Sequence, residues 1–223
     1  MLNLLVCFII LLSTIVTPLP VFGDTHYGEV TGGQVNEALA NTAHVRFLPP
    51  NPLYYLSRVK ELFSRFFTAS AVERARFDFM ISSKRLKETY LLFEQSKYSS
   101  ANNALADYSI ATNKSVEQLK KARSQNQEII PVVEEITDKL NYHEILLIYL
   151  IKNGNDNLNI QNVLISFEVY VEELNNFKPG NRDRFKILKE EKEGESSSSA
   201  NLNPSLYETV EPTASAVSKK VIY

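Results

Sequence analysis

An all-α fold, an antiparallel bundle of four to five helices around a long central hairpin, is predicted by three features of this 223-residue sequence. Between Ala43 and Phe185 only Gly154 and Gly180 interrupt the chain, which leaves few sites for tight β-turns. Apolar residues in that stretch recur every three or four positions, the period of a helix face. Helix-opening signals at Asn51, Ser70 and Pro131 stand just before those runs. No period of solenoid type is present.

The chain divides into four segments: 1–23, 24–44, 45–178 and 179–223. The first contains "LLVCFIILLSTIV", Leu4 to Val16, an apolar run of signal-peptide length followed by Pro18 and Pro20. Val21-Phe22-Gly23 suits a signal peptidase, so cleavage is expected before Asp24 and the protein is expected to be exported: extracellular, periplasmic or envelope-associated. No Lys or Arg precedes the run, and an uncleaved anchor remains the alternative reading. Cys7, the one cysteine, lies inside this run. A mature chain without thiols has neither disulfides nor Cys-ligated zinc, so burial has to hold the fold together.

Residues 24–44 are polar, rich in Gly, Thr and Asn, and read as a flexible leader. From there "LPPNPLY" opens the first helix of the domain. Pro49 and Pro50 favour an extended approach, Asn51 is placed to cap, and Pro52 fits the first helical position, where its missing N–H costs nothing. Leu53, Leu56, Val59, Phe63 and Phe66 then form one stripe expected to face inward. "SAVE", Ser70 to Glu73, is a capping box that opens a long second helix with Ala75, Phe79, Ser83, Leu86, Tyr90 and Phe93 inward, Phe77 and Ile81 widening its face.

"SKYSSANN", Ser96 to Asn103, breaks the pattern, and Ser99 or Ser100 is the expected cap of a third helix carrying Leu105, Tyr108, Thr112, Ser115, Leu119 and Ala122. Folding this hairpin about Lys97 to Ser100 sets Ser83 level with Thr112 to Ser115, a layer of small residues at mid-bundle with hydroxyls bonded to the preceding turn. Pro131 begins a fourth helix with Val132, Ile136, Leu140, His143, Leu147 and Leu150 inward, ended by Gly154. Asn157 or Asn159 caps a fifth, with Ile160, Val163, Phe167, Val171 and Leu174 inward. Beyond it, "KEEKEGESSSSANLNPS" cannot bury enough surface to offset ordering entropy, so 179–223 reads as a disordered tail.

Candidate chemistry is sparse. Formal net charge is −2, with 24 basic and 26 acidic residues, which gives no field for nucleic acid. His143 is the weak candidate for a metal ligand, but no Cys, His or carboxylate completes a set at helical spacing, so a core histidine with a carbonyl or hydroxyl partner is expected. Glu134, Glu135 and Asp138 fall on the outer face of their helix. Lys84 and Glu88 are spaced for an i, i+4 pair, and Arg85 is placed to bridge helices. "RFFTASAVERARF", Arg65 to Phe77, interleaves Arg with Phe, yet its aromatics fall on the inward stripe and read as core. Tyr54 and Tyr55 suit a bundle rim or partner surface. No phosphate loop, nucleophile elbow or HExxH sequence occurs. No catalytic residue, cofactor or small-molecule ligand is therefore assigned.

The stretch from Leu48 to Glu88 resembles the start of a bacterial domain-of-unknown-function family, the one numbered 5667. The likeness rests on Leu48-Pro49, on Pro52-Leu53-Tyr54, on Leu56, and on Lys84-Arg85-Leu86 with Glu88. "NYHEILLIYL", Asn141 to Leu150, is similar to the family's later His-containing helix, and the whole spans roughly Val45 to Leu150. Ser57 and Ser82 depart from the family pattern. The resemblance implies an exported or membrane-tethered all-helical domain and brings no catalytic residue with it.

Together these features suggest a non-enzymatic interaction or structural module that meets an unidentified protein partner at the cell envelope. Membrane contact is expected only if residues 1–23 stay attached. The alternative is an envelope stress sensor or holdase-like chaperone, with or without a metal response, resting on an exposed Tyr/Phe rim.

Overall fold

The computed structural model describes residues 29–154 and 157–187. The signal-peptide reading of 1–23 and most of the tail lie outside these residues. Among the described residues the structure is all-helical: α1 Gly32–Asn41, α2 Pro52–Phe67, α3 Ala71–Glu94, α4 Tyr98–Ser124, α5 Ile130–Gly154 and α6 Gln161–Phe177, then a 3-10 turn Arg182–Arg184. No strand occurs among them. No described helix is long and apolar enough to cross a membrane.

The hairpin of α3 and α4 is the spine of the bundle; α5 packs on α3, and α6 on α4 and α5. The residues expected inward on α5 and α6 are buried, from Val132 to Leu150 and from Ile160 to Leu174. Both hairpin helices end on a residue in the left-handed region without using glycine: Ser96 has φ 57° and Asn126 φ 54°. After α3, the Lys97 amide bonds the Leu92 carbonyl at 2.9 Å and that of Ser96 bonds Phe93 at 2.8 Å. This is a Schellman closure, and the same pairing recurs after α4 from Gln127 to Ala122.

The tight closure moves the hairpin register away from the expected one. With α4 starting at Tyr98, Lys97 holds the cap position without a side-chain bond, and neither Ser99 nor Ser100 caps. Ser115 consequently meets α3 at Ala75, its hydroxyl 3.0 Å from that carbonyl. The expected layer is thus split along the hairpin rather than gathered at one level. Each hydroxyl does bond backbone: Ser83 to Phe79, Thr112 to Tyr108.

The domain is larger than 45–178. The segment read as a flexible leader contains α1, capped by a reciprocal box between Thr31 and Gln34. Val35 and Ala38 of α1 are buried against α5. Val35, Ala38 and the half-buried Leu39 drive its docking, too few for a sustained period to be visible. The tail also begins later than Lys178: Phe185 is fully buried and meets Phe167 edge-on at 5.6 Å. The Ile187 amide donates to Glu144 Oε1 at 2.8 Å. Ile160 takes the cap position of α6 without a side-chain bond, while Asn102 holds the preceding loop through Asn157 O and Asn159 N.

The largest departure is α2. Its cap is as expected, with the Leu53 amide donating to Asn51 Oδ1 and Pro52 in the first turn. Its orientation is inverted. Tyr54 is its one buried residue, whereas Leu56, Val59, Leu62, Phe63, Phe66 and Phe67 are exposed by half or more. The reason lies on α3, which presents Asp78, Lys84, Arg85 and Glu88 to α2; charges so placed need partners, and the polar side of α2 supplies them.

Candidate functional site

Two polar clusters lie within this apolar bundle. One is centred on His143, which α5 carries into the core between α3 and α4. Its ring is fully buried and stacked on Phe79 at 5.0 Å. Nε2 lies 2.7 Å from Ser83 Oγ and Nδ1 3.4 Å from the Tyr108 hydroxyl. Burial pushes its pKa down to about 3, so the ring is neutral across the physiological range. Two turns along α4 from Tyr108, Ser115 Oγ meets the Tyr170 hydroxyl at 2.9 Å, and burial raises the pKa of both Tyr108 and Tyr170.

A serine bonded to a histidine invites comparison with an activated nucleophile. Here the imidazole faces a phenol rather than a carboxylate, is a weak base, and is sealed from solvent. Ser83 also bonds the Phe79 carbonyl at 3.2 Å, so its proton has a competing acceptor. A cavity of about 440 Å³ does reach Ser83 and Phe79, between Asn41–Ala43 and the charged side chains Glu73, Arg76, Glu135 and Lys139. His143 does not line it. Both ring nitrogens have hydroxyl partners, and no group of three His, Cys, Asp or Glu among the described residues is arranged to hold a metal ion.

The second cluster, between α2 and α3, centres on residues from the family-like motif. Arg85 and Glu88 are fully buried, Nη1 of the arginine 2.6 Å from Oε1 of the glutamate. Arg85 also pairs with Glu61 of α2, so it does bridge helices. Lys84 turns to Glu61 and to Ser57 Oγ, 3.0 Å away, rather than making the expected bond to Glu88. The Tyr54 hydroxyl caps the cluster 3.3 Å from Glu88 Oε2. Burial, then the nearby Glu88 charge, pushes its pKa up to about 12. Burial likewise lifts the Glu88 carboxyl above its ordinary value, against the opposing pull of Arg85. Burial works to lower Arg85, yet Glu88 and Glu61 hold it above its ordinary value.

Two more ion pairs extend the seam. Arg65 clasps Asp78 with both Nε and Nη2, at 2.6 and 2.9 Å. Arg58 reaches Asp107 of α4 at 2.7 Å. Thus α2 is attached almost wholly by charged and phenolic groups. Its opposite side is bare: Phe66 is 77% exposed and Phe67 76%, each ring edge-on to the other at 5.4 Å. The aromatics of "RFFTASAVERARF" are therefore not core; Phe77 alone among them is half-buried. Tyr54 enters the seam, while Tyr55, its ring edge-on to that of Tyr54 at 5.9 Å, is 64% exposed.

Glu134, Glu135 and Asp138 do lie outward, and each makes a tertiary ion pair, with Lys178, Arg76 and Arg184. The apolar stripe of α2 is visible in the sequence; the burial of Asp78, Arg85 and Glu88, which orients it, is not. Their spacing of seven and three residues along α3 was the available signal.

Residues 46–143 match a family model described as Domain of unknown function (DUF5667), in line with the resemblance drawn from Leu48 to Glu88. The match spans α2, α3, α4 and part of α5. No curated protein and no solved structure matches the chain.

Proposed function

We propose, for a chain whose residues 46–143 belong to this family, a non-enzymatic interaction module that is exported and contacts a protein partner at the cell envelope through the outer face of α2. The observation that carries the reading is the inverted helix. A row of Leu, Val and Phe side chains left in water loses the hydrophobic gain that burial supplies, and such a patch marks a contact surface. Export rests on the apolar run Leu4 to Val16 alone. The test is a photo-crosslinking residue in place of Phe63, in the full chain expressed in its own host. Recovery of a defined partner from the envelope fraction is expected; a chain that stays uncrosslinked there would count against the proposal.

The exposed Tyr55, Phe63, Phe66 and Phe67 also favour a second reading, a holdase that binds unfolded clients. Suppression of aggregation of a heat-denatured client, lost in Phe63→Asp, is its expected signature. Failure to slow that aggregation at equimolar ratio would dismiss it.

A further inference from the structure

On an ideal helix turning about 100° per residue, Tyr55, Leu56, Val59, Leu62, Phe63, Phe66 and Phe67 fall within an arc of about 140°. The Arg58, Glu61 and Arg65 side chains that bind the bundle lie on the other side. Lys60 is the one exposed charged residue of α2, and it stands at the margin of the arc. The outer surface is therefore one continuous apolar strip along a 16-residue helix, about 24 Å long.

Its area is what identifies the occupant. An aromatic side chain presents about 150–250 Å², and Tyr55, Phe63, Phe66 and Phe67 are 60–77% exposed. These four alone leave roughly 550 Å² bare, close to the largest patch of a typical monomer, about 300–600 Å². Leu56, Val59 and Leu62, 50–70% exposed, enlarge it further. The total approaches the roughly 800 Å² per partner of a standard stable interface.

We infer that a second copy of this chain covers the strip, the two α2 helices packing antiparallel about a two-fold axis; this builds on the proposed contact role of the same face. A two-fold contact uses one patch twice, so the patch must be complementary to itself. Aligned antiparallel about its middle, Tyr55 and Leu56 of one copy meet Phe66 and Phe67 of the other. Val59 meets Phe63, so a small side chain faces a large one; the Leu62 side chains of the two copies come together along one edge, and Lys60 stands at the opposite edge with its ammonium free to reach water. No buried charge is created, because Arg58, Glu61 and Arg65 keep their partners within each copy.

The experiment is sedimentation of the full chain, with and without Phe63→Asp, together with Leu62→Cys in a Cys7→Ser background under mild oxidation. The expected result is a dimer that Phe63→Asp converts to monomer, with circular dichroism and melting temperature of the monomer preserved, and a Leu62 disulfide between copies. A monomer at tens of micromolar, or a dimer indifferent to Phe63→Asp, would overturn the inference. If Phe63→Asp fails to fold, the Leu62 crosslink decides: its absence overturns the inference. A monomer that binds phosphatidylcholine–phosphatidylglycerol vesicles only when Phe63 is intact would overturn it in favour of a lipid surface. A monomer whose residue 63 crosslinks a different protein overturns the self-contact but leaves the proposed module standing. A Phe63-dependent dimer that captures no other protein does the reverse.

Discussion

Arg85 and Glu88 lie three residues apart on α3, both without solvent exposure, and share a bond of 2.6 Å in the seam between α2 and α3. Removing one partner of such a pair leaves a buried charge. Arg85→Met or Glu88→Leu alone should each cost about 3 kcal/mol or more, while the double change should restore most of the loss. Urea unfolding of the three variants measures this. Additive single effects would show that the two side chains do not act as a pair.

The inversion of α2 predicts an unusual contrast between two phenylalanines. Phe66→Ala, at a side chain 77% exposed, should change the stability of dilute, monomeric protein by no more than about 0.5 kcal/mol. Phe167→Ala, at a fully buried ring on α6, should cost about 3–5 kcal/mol. Comparable losses at both sites would mean that the outer face of α2 is packed against its own bundle.

These two sites also show what the sequence could and could not convey. On α5 and α6 periodicity alone located the core, because their neighbours offer uncharged, mainly apolar surface to Val132, Leu147 and Phe167, which had one way to turn. On α2 the same periodicity named the stripe correctly and its direction wrongly. Direction depends on what α3 presents, and Asp78, Arg85 and Glu88 outweigh Leu56 and Phe63 because an unpaired buried charge costs more than an exposed side chain. His143 was legible as a core histidine with a hydroxyl partner. Its partner Ser83 sat on the expected face, but the hairpin register that sends Ser115 to Ala75 depends on Ser96 closing the turn in a conformation usually reserved for glycine.

Ser96 supplies a prediction of its own. With φ at 57°, it pays the steric cost that a Cβ meets in the left-handed region. Ser96→Gly keeps the Schellman bonds and relieves that cost, so it should raise stability by roughly 0.5–1 kcal/mol. A lower melting temperature in the variant would argue against this closure of the hairpin.

The Ser115–Tyr170 bond should couple α4 to α6. Ser115→Ala leaves a fully buried phenol without its partner, at a cost of about 1–3 kcal/mol. In the Tyr170→Phe background the same change should cost clearly less, since only the bond to the Ala75 carbonyl is then lost. A double-mutant cycle measures the difference, and a coupling near zero would separate the two hydroxyls.

Stability depends on pH through the burial of His143. Buried, it resists protonation until about pH 3, whereas in the unfolded chain it takes a proton near its ordinary 6.5. Between those values the unfolded state binds more protons, so stability rises with pH: the contribution is fully present above 6.5 and is lost as pH falls toward 3. The slope approaches about 1.4 kcal/mol per pH unit, giving a loss of about 2 kcal/mol from this residue between pH 7 and pH 5. Urea unfolding at the two pH values, on the parent chain and on His143→Gln, isolates the effect because glutamine does not titrate. The parent should weaken on acidification more steeply than the variant, whatever the variant loses in absolute stability. Equal slopes would mean that His143 is reached by water and protonates in the folded state.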